Sequence, residues 1–264
     1  MNRSWLVGVI HLPPLPGSPR SELTMDDICR ACASDARALA AAGFDLAMIE
    51  NFGDRPFFRG RVPAITVGAM TACALAARQA CPNLPIGINV LRNDADAALA
   101  IAAVTGAEVI RVNVHTGARV TDQGVVEGEA AETVRMRRAL GARVAIWADV
   151  DVKHSAPLAR REPESEARDL VSRAMADAVL VTGEGTGQAV DLAKLAAVRA
   201  ATRGVPLLVA SGATQTDLGA LSELSNGVIV GSALRANGTA GGPIDPSRAA
   251  AFAAAFRAQA RWSS

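Results

Sequence analysis

The chain has 264 residues, 50% of them hydrophobic, and a formal net charge of +1 at pH 7. This length and apolar content predict one barrel-sized domain over residues 1–264 with a large buried core. The near-neutral charge gives no sequence-wide basic field, so we expect no nucleic-acid partner. The apolar run near the N-terminus is too short to span a membrane and is poorly formed as a signal peptide, so we expect no membrane insertion and a cytoplasmic location.

One pattern repeats along the chain, an apolar run that ends in polar residues and is followed by a helical segment. Strands are predicted at residues 5–10, 45–49, 86–91, 109–114, 144–150, 177–181, 206–210 and 227–230. The segment TGARVTDQGVVEG after the fourth strand is predicted to be a long loop. Thr24, Asp94 and Asp191 stand where helix caps are expected. Eight strands alternating with eight helices predict a (β/α)8 TIM barrel in preference to an open doubly wound sheet. The dinucleotide fingerprint is also absent, since the first strand is followed by HLPPLPGSPR and not by G-x-G-x-x-G.

The segment RVAIWADVDVKH combines a predicted buried strand with a cluster of ionisable residues. Alternation places Trp147, Asp149, Asp151 and Lys153 on one face, whereas the other face is apolar. Barrel active sites lie at the C-terminal ends of the strands, where this charged segment begins. We therefore expect Asp149, Asp151, Lys153 and His154 to form one coupled titrating unit, in which the carboxylates keep Lys153 protonated for anion binding or acid catalysis.

The three histidines, His11, His115 and His154, all fall at or just beyond the C-terminal end of a predicted strand. This coincidence indicates a site at that end of the barrel. His11, His115, Glu50 and Asp149 also have the nitrogen and oxygen donors that suit a divalent metal ion. A metal cofactor is therefore a hypothesis, because sequence spacing cannot show whether these residues converge.

Inward-facing polar residues are predicted on two further strands. Alternation turns Asn89, Arg111 and Asn113 into the barrel. A buried Arg111 needs a carboxylate partner, which Glu50 or Asp149 could supply. These groups are either functional or members of a buried hydrogen-bond network that satisfies itself. The residues with candidate catalytic roles are Glu50, His115, Asp149, Asp151, Lys153 and His154, and His11, Asn89 and Asn113 are candidates for substrate binding.

The loops after the last two predicted strands are short and rich in small residues. They contain Ser211 and Gly212 after the first and Gly231 and Ser232 after the second. Many barrels bind a phosphate group on backbone N–H groups at these places. The structural alternative is that the glycines only turn the chain. Because both loops also carry hydroxyl residues, we favour a phosphate-binding site.

A C-x-x-C pair, Cys29 and Cys32, raises the alternatives of a redox or metal motif. The pair lies in a helical pattern without a second pair or histidines at zinc-finger spacing. Free, buried thiols are therefore predicted.

Eight stretches of the chain carry a family likeness: GVIHLPPLPGSPR, IENFGD, IGINVLRND, RVNVHTGARVTDQG, ADVDVKHSAPL, VTGEGTG, SGAT and VGSAL. With these stretches the sequence resembles the BtpA/SgcQ family throughout its length. The resemblance implies a barrel of the ribulose-phosphate-binding type, in a family of predicted enzymes that is named for a role in photosystem I biogenesis. By position within the same stretches, Asn51, Arg92, Asp122 and Thr182 become further candidates for substrate binding.

Two functions from different classes remain open. One is an enzyme acting on a phosphorylated sugar or nucleotide-like small molecule, as a lyase, isomerase or glycosyl-bond enzyme. The other is a non-catalytic assembly or stability factor of the photosystem I biogenesis type. The ring of polar strand ends favours the enzyme, because an assembly factor has no need for histidines at three of them. The sequence leaves the substrate and the oligomeric state open, including a homo-oligomer.

Overall fold

A closed ring of parallel strands forms the centre of the molecule, as the repeated pattern predicts. The computed structural model describes residues 3–152, 154–159, 161–183 and 190–262. The strands are β1 (Trp5–His11), β2 (Leu46–Glu50), β3 (Ile86–Asn89), β4 (Val109–Val112), β5 (Ala118–Thr121), β6 (Gly124–Glu127), β7 (Ala145–Val150), β8 (Ser155–Pro157), β9 (Ala178–Val181), β10 (Leu207–Val209) and β11 (Gly227–Val230). The helices are α1 (Met25–Ala41), α2 (Ala64–Ala80), α3 (Ala95–Thr105), α4 (Ala130–Ala139), α5 (Pro163–Ser172), α6 (Leu192–Ala201), α7 (Leu218–Leu224) and α8 (Pro246–Arg257). The barrel has the strand order β1-β11-β10-β9-β7-β4-β3-β2, so β1 closes the ring against both β11 and β2. The (β/α)8 barrel is therefore confirmed.

The two faces of each barrel strand pack into different hydrophobic clusters. Val7 and Val9 of β1 belong to an inner cluster with Trp147, whereas Leu6 and Ile10 pack outward against the helices. This separation follows from the alternation of side chains along a strand. It confirms the predicted face of Trp147 and places the polar continuation of that face inside the barrel.

The predicted helix caps are present. Thr24 accepts a hydrogen bond from the Asp27 backbone N–H at the start of α1. Asp94 caps α3 in the same way, and Asp191 caps α6. These side chains satisfy backbone donors that have no partner within the helix, so each loop is tied to the helix that follows it.

The segment predicted as a long loop after β4 contains two additional strands. β5 and β6 form an antiparallel hairpin, and β8 pairs with the other edge of β5. The alternating residues of ARVT and GVVE suit strands, and Gly124 adopts φ +101° at the turn, which disfavours residues with a side chain. The expectation of a loop was wrong because this small sheet interrupts the strand–helix alternation. It lies beside the C-terminal ends of the barrel strands.

The cysteines are free thiols, as predicted, with Cys32, Cys73 and Cys81 buried and Cys29 half-buried. Burial raises the pKa of Cys29 to about 11, with smaller contributions from Cys73. A protonated, inaccessible thiol is a poor nucleophile and a poor metal ligand, so the C-x-x-C pair packs the interface between α1 and α2. Within the described residues, no helix combines the length and the apolar content needed to cross a lipid bilayer.

Candidate functional site at the C-terminal mouth of the barrel

A cavity of about 1030 Å³ opens at the C-terminal ends of the barrel strands. This is the volume expected of a site for a small organic ligand. Among the sequence-predicted residues, the cavity is lined by His11, Glu50, Asn89, Arg92, Asn113, Asp122, His154, Ser211, Gly212, Gly231 and Ser232. The structure therefore brings together residues from β1 to the loop after β11, far apart along the chain.

The floor of the cavity is a buried network centred on Arg111. Its guanidinium donates to Glu50 through Nη1 at 3.2 Å and to Asp149 through Nε and Nη2 at 3.2 and 3.1 Å. Asn89 donates to Glu50 at 2.8 Å, and Asn113 donates to Asp149 at 2.6 Å. Burial by itself lowers the pKa of Arg111, but the charges and hydrogen bonds of Asp149 and Glu50 outweigh it and raise that pKa. Arg111 is therefore a permanent cation between two carboxyl groups, as predicted from its inward face.

The two asparagine side chains present acceptors that the protein leaves unused. Each amide must turn its Nδ2 group toward a carboxylate, and this fixes the position of its oxygen. Asn89 Oδ1, Asn113 Oδ1 and Ser211 Oγ are buried and have no hydrogen-bond partner among the residues that the structure describes. All three residues line the same cavity. Unsatisfied buried polar atoms are uncommon in folded proteins, so three of them on residues that line one cavity make this cavity the candidate ligand site.

Glu50 and Asp149 have different positions in the network. Glu50 lines the cavity, and its Oε1 atom accepts hydrogen bonds from Asn89 and Arg111. Asp149 uses both oxygens, its side chain is 0% exposed, and it is not part of the cavity lining, whereas Arg111 is. The geometry therefore separates a carboxyl group that faces the ligand space from one that orients Arg111 and Asn113.

The two glycine-containing loops lie next to His11. A Cβ atom placed on Gly231 would be 3.0 Å from His11 Cε1 and 3.3 Å from His11 Nε2. The opposite ring nitrogen, Nδ1, accepts a hydrogen bond from the Gly241 backbone N–H at 3.1 Å. Because Nδ1 is an acceptor, a neutral His11 carries its proton on Nε2, on the side of the Gly231 loop. This arrangement presents a side-chain donor beside the predicted phosphate loop.

Arg235, which the sequence analysis did not single out, supports this loop from behind. It is 1% exposed and donates to Gly231 O at 2.6 Å and to Val9 O at 2.8 Å. Burial lowers its pKa, while Asp35 and Glu50 act in the opposite direction. A buried guanidinium next to the loop adds positive potential where an anion would lie. No local pattern marks this arginine, since its burial follows from the packing of β1, β11 and α8.

The rim of the cavity contains further cationic side chains that were not predicted, Arg20 and Arg55, together with the predicted Arg92. Arg92 forms an ion pair at 3.8 Å with Asp122, which lies in the turn between β5 and β6. The guanidinium of Arg55 lies 4.2 Å above the ring of Phe52. Several cations around one opening attract an anionic ligand.

Asp151 belongs to a different cluster from the one predicted. It pairs with Arg119 and Lys194, and Arg119 also pairs with Glu166 at 3.4 Å. Burial alone raises the pKa of Asp151, but Lys194 and then Arg119 outweigh burial and lower it. Asp149 and Asp151 thus have separate partners, because the chain turns at Asp151, where φ is +55°. The coupled unit is not formed by these two residues, and Lys153 lies outside the described residues.

Three other predicted residues lie outside the cavity lining. His115 is 1% exposed, and its Nε2 bonds to Ala174 O at 3.0 Å. Asn51 accepts from the Leu91 N–H at 2.7 Å and donates to Asp54. Thr182 donates to Asp151 O at 3.2 Å. Strand parity alone did not separate these residues from those at the mouth, because each follows the last strand residue, where the alternation no longer fixes the side-chain direction.

The candidate metal ligands do not converge. Among the side chains that the structure describes, no group of three or more His, Cys, Asp or Glu residues is arranged to hold a metal ion. Glu50 and Asp149 are bridged by Arg111, which takes the position between the two carboxylates. His115 faces the loop after α5 instead.

Fold and site together define a TIM-barrel protein with a polar, ligand-sized cavity at the C-terminal end of the barrel. N-(5′-phosphoribosyl)anthranilate isomerase from Pyrococcus furiosus has the same fold, with a TM-score of 0.56 and 17% identity over 96% of this chain and 98% of that one. The chain belongs to the BtpA family, whose model matches residues 2–258. It is 43% identical over 247 residues to the photosystem I biogenesis protein BtpA of Synechocystis sp., covering 94% of this chain and 86% of that relative. An uncharacterized protein of Methanocaldococcus jannaschii is 41% identical over 92% of both chains.

Proposed function

We propose that the protein is an enzyme acting on a phosphorylated sugar or nucleotide-like small molecule in the cavity at the barrel mouth. The observation that carries the proposal is the set of unpartnered atoms, Asn89 Oδ1, Asn113 Oδ1 and Ser211 Oγ, in one cavity. Each buried polar atom without a partner costs about 1–3 kcal/mol. A polyhydroxylated ligand supplies the missing donors and removes this cost when it binds. It therefore binds more tightly than a ligand without donors at these positions.

The phosphate group is assigned to the loops that contain Ser211–Gly212 and Gly231–Ser232. His11 Nε2 lies beside the second loop, and buried Arg235 holds its backbone. Small residues allow the oxygen atoms of a phosphate to approach backbone N–H groups. The arginines at the rim attract the same charge. We infer that the sugar extends from these loops toward Asn89 and Asn113 on the cavity floor.

Glu50 is the residue assigned to proton transfer. Its Oε1 atom is held by Asn89 and Arg111, while Oε2 makes no hydrogen bond with the described residues. A carboxyl group held in one orientation, with one oxygen toward the ligand, can act as a general base or acid. Proton transfer of this kind is common to lyases, isomerases and glycosyl-bond enzymes. Asp149 is assigned a positioning role, since it contacts Arg111 and Asn113 and not the cavity.

Binding is tested with ribose 5-phosphate, ribose and inorganic phosphate by isothermal titration calorimetry. Ribose 5-phosphate should bind most tightly, and Ser211→Ala should weaken it about tenfold, or ~1.4 kcal/mol. Ser172→Ala, on the outer helix α5, is the matched control and should have no effect. Equal binding of ribose 5-phosphate by wild type and Ser211→Ala contradicts the assignment of the phosphate loops.

Turnover is tested by incubating the protein with a panel of sugar phosphates and nucleotides and following the products by NMR. Glu50→Gln keeps the size of the side chain and an acceptor for Asn89 and Arg111. It should lower turnover by a factor of about 10²–10⁴ while binding changes little. An activity that Glu50→Gln retains in full would remove Glu50 from the reaction.

The name of the Synechocystis relative supports a second candidate, a non-catalytic assembly or stability factor. That function predicts that Glu50→Gln complements loss of the protein in cells as well as wild type does. An enzyme predicts that Glu50→Gln fails to complement at equal abundance. The two candidates are therefore separated by the same variant.

A further inference from the structure

A second cavity of about 600 Å³ lies beside the first. Both cavities are lined by His11, Arg20, Phe52 and Arg55, so these four side chains form the boundary between them. On its far side the second cavity is bounded by α1, the proline-containing loop after β1 and residues 241–243 before α8. A ligand that occupies the barrel mouth can extend past His11 into this space.

The second cavity differs in character from the first. Its lining is mainly apolar, with Ile10, Leu12, Pro13, Pro14 and Pro243 among the contributing residues. The boundary consists of flat groups in face contact. The centroids of the His11 and Phe52 rings are 4.3 Å apart, and the two ring planes are inclined at 32°. The Arg55 guanidinium lies over the Phe52 ring, 4.2 Å from its centroid. Apolar walls beside stacked planar groups favour a flat, weakly polar moiety.

One polar group stands out in this cavity, the carboxyl of Asp35. The residue is 6% exposed and lines the cavity. Its Oδ1 atom accepts from the Ile244 N–H at 2.9 Å, while Oδ2 makes no hydrogen bond with the described residues. Burial raises the pKa of Asp35, although Ile244 and then Arg235 act against it. Because Asp35 lines the cavity and only its Oδ1 atom accepts a hydrogen bond from the described residues, its carboxyl group can accept a further hydrogen bond from a ligand N–H group.

We propose that the second cavity binds the planar nitrogen heterocycle of a nucleoside 5′-phosphate, with Asp35 accepting a hydrogen bond from its N–H edge. The inference rests on the proposed function, because it places the phosphate at the Ser211 and Gly231 loops and the ribose over the cavity floor. His11 contacts both spaces, so the ligand passes along its ring. The cavity shape thus defines the substrate as a phosphosugar bearing a heterocyclic base.

The first test compares AMP and GMP with ribose 5-phosphate by calorimetry on the full-length protein. At least one nucleotide should bind tenfold or more tightly than ribose 5-phosphate. Ala31→Trp, at an exposed position of α1 that lines the second cavity, should abolish that advantage and leave ribose 5-phosphate unchanged. Ala40→Trp, exposed on the same helix away from the cavity, is the matched control.

The outcomes separate the two proposals. If ribose 5-phosphate binds and neither nucleotide binds more tightly, or if Ala31→Trp has no effect, the second-cavity assignment is wrong and the proposed function stands. If none of the phosphates binds, the proposed function fails and the inference fails with it.

Asp35→Asn is the second test, chosen because it preserves size and keeps an oxygen for the Ile244 N–H. The amide then presents NH2 where Oδ2 was, which replaces an acceptor by a donor. The affinity for the preferred nucleotide should fall at least tenfold, with ribose 5-phosphate unchanged. An unaltered nucleotide affinity in folded Asp35→Asn would exclude Asp35 from recognition.

Discussion

Arg111 and Asp149 form a two-point ion pair between neighbouring barrel strands, with Nε and Nη2 of the arginine 3.2 and 3.1 Å from the two carboxylate oxygens. The parallel register sets Arg111 opposite Trp147, and Asp149 lies two residues further along its strand toward the mouth. The remaining guanidinium nitrogen, Nη1, reaches Glu50 across the barrel. One arginine therefore positions the buried carboxylate and the ligand-facing one together.

Removing the arginine charge should destabilise the barrel strongly. Arg111→Met leaves two buried carboxyl groups without their cation, and we expect the free energy of unfolding at pH 7 to fall by about 3–5 kcal/mol. Arg30→Met removes an exposed ion pair with Asp27 and should leave the free energy of unfolding almost unchanged, because water screens this pair. Urea denaturation measures both, and similar losses in the two variants would contradict the buried-network interpretation.

His115 should make stability depend on pH without affecting ligand binding. Burial lowers the pKa of His115, and the nearby Arg137 adds to this, while the bond to Ala174 acts against it. Because the unfolded state then binds the proton more readily, neutral His115 stabilises the folded state. This contribution to the free energy of unfolding is complete above about pH 6.5 and is lost as the pH falls toward the folded-state pKa. The free energy of unfolding should fall by at most about 1.4 kcal/mol for each pH unit. Unfolding curves between pH 7.5 and 5 should show this loss in wild type and a smaller one in His115→Gln. Weaker ribose 5-phosphate binding by folded His115→Gln would instead show that His115 contributes to the ligand site.

Gly231→Ala should impair the phosphate loop by steric contact with His11. The new Cβ would lie 3.0 Å from His11 Cε1, closer than ordinary van der Waals contact allows. We expect about tenfold weaker binding of ribose 5-phosphate, ~1.4 kcal/mol, with a change in unfolding free energy below about 1 kcal/mol. Gly60→Ala is the control, since no atom lies within 4 Å of its Cβ position. Calorimetry that finds both variants equal to wild type would separate this loop from ligand binding.

Arg119 should hold the small antiparallel sheet against the barrel. Its side chain is 4% exposed, pairs with Asp151 and Glu166, and donates to Ser155 Oγ at 2.7 Å. In Arg119→Met, amide hydrogen exchange in β5, β6 and β8 should accelerate about tenfold or more while the barrel strands change less. Arg261→Met, which alters an exposed pair with Glu223, should leave the pattern unchanged. Uniform acceleration across the chain would mean that Arg119 supports the whole fold.

Much of the fold follows from local pattern. Alternation identified the inner face that carries Trp147 and Asp149, and the helix caps at Thr24, Asp94 and Asp191 are where the sequence places them. These features depend on residues within a few positions of one another, and their physics is local. The β5–β6 hairpin also has a local signal, its alternation around Gly124, and it was missed because the barrel pattern suggested a loop.

The sequence by itself determined which strands form the barrel, which of their faces is polar, and that Arg111 requires carboxylate partners. Only the tertiary structure decided that Glu50 lines the cavity while Asp149 does not, that Asp151 pairs with Arg119 and Lys194, and that His115 lies outside the mouth. The reason is that side-chain direction beyond a strand end is set by contacts across the barrel and not by the period of two along the strand. Asp35 and Arg235 show the same dependence, since Asp35 on α1 meets Ile244, and Arg235 meets Val9 of β1, only when the chain has folded into the closed barrel.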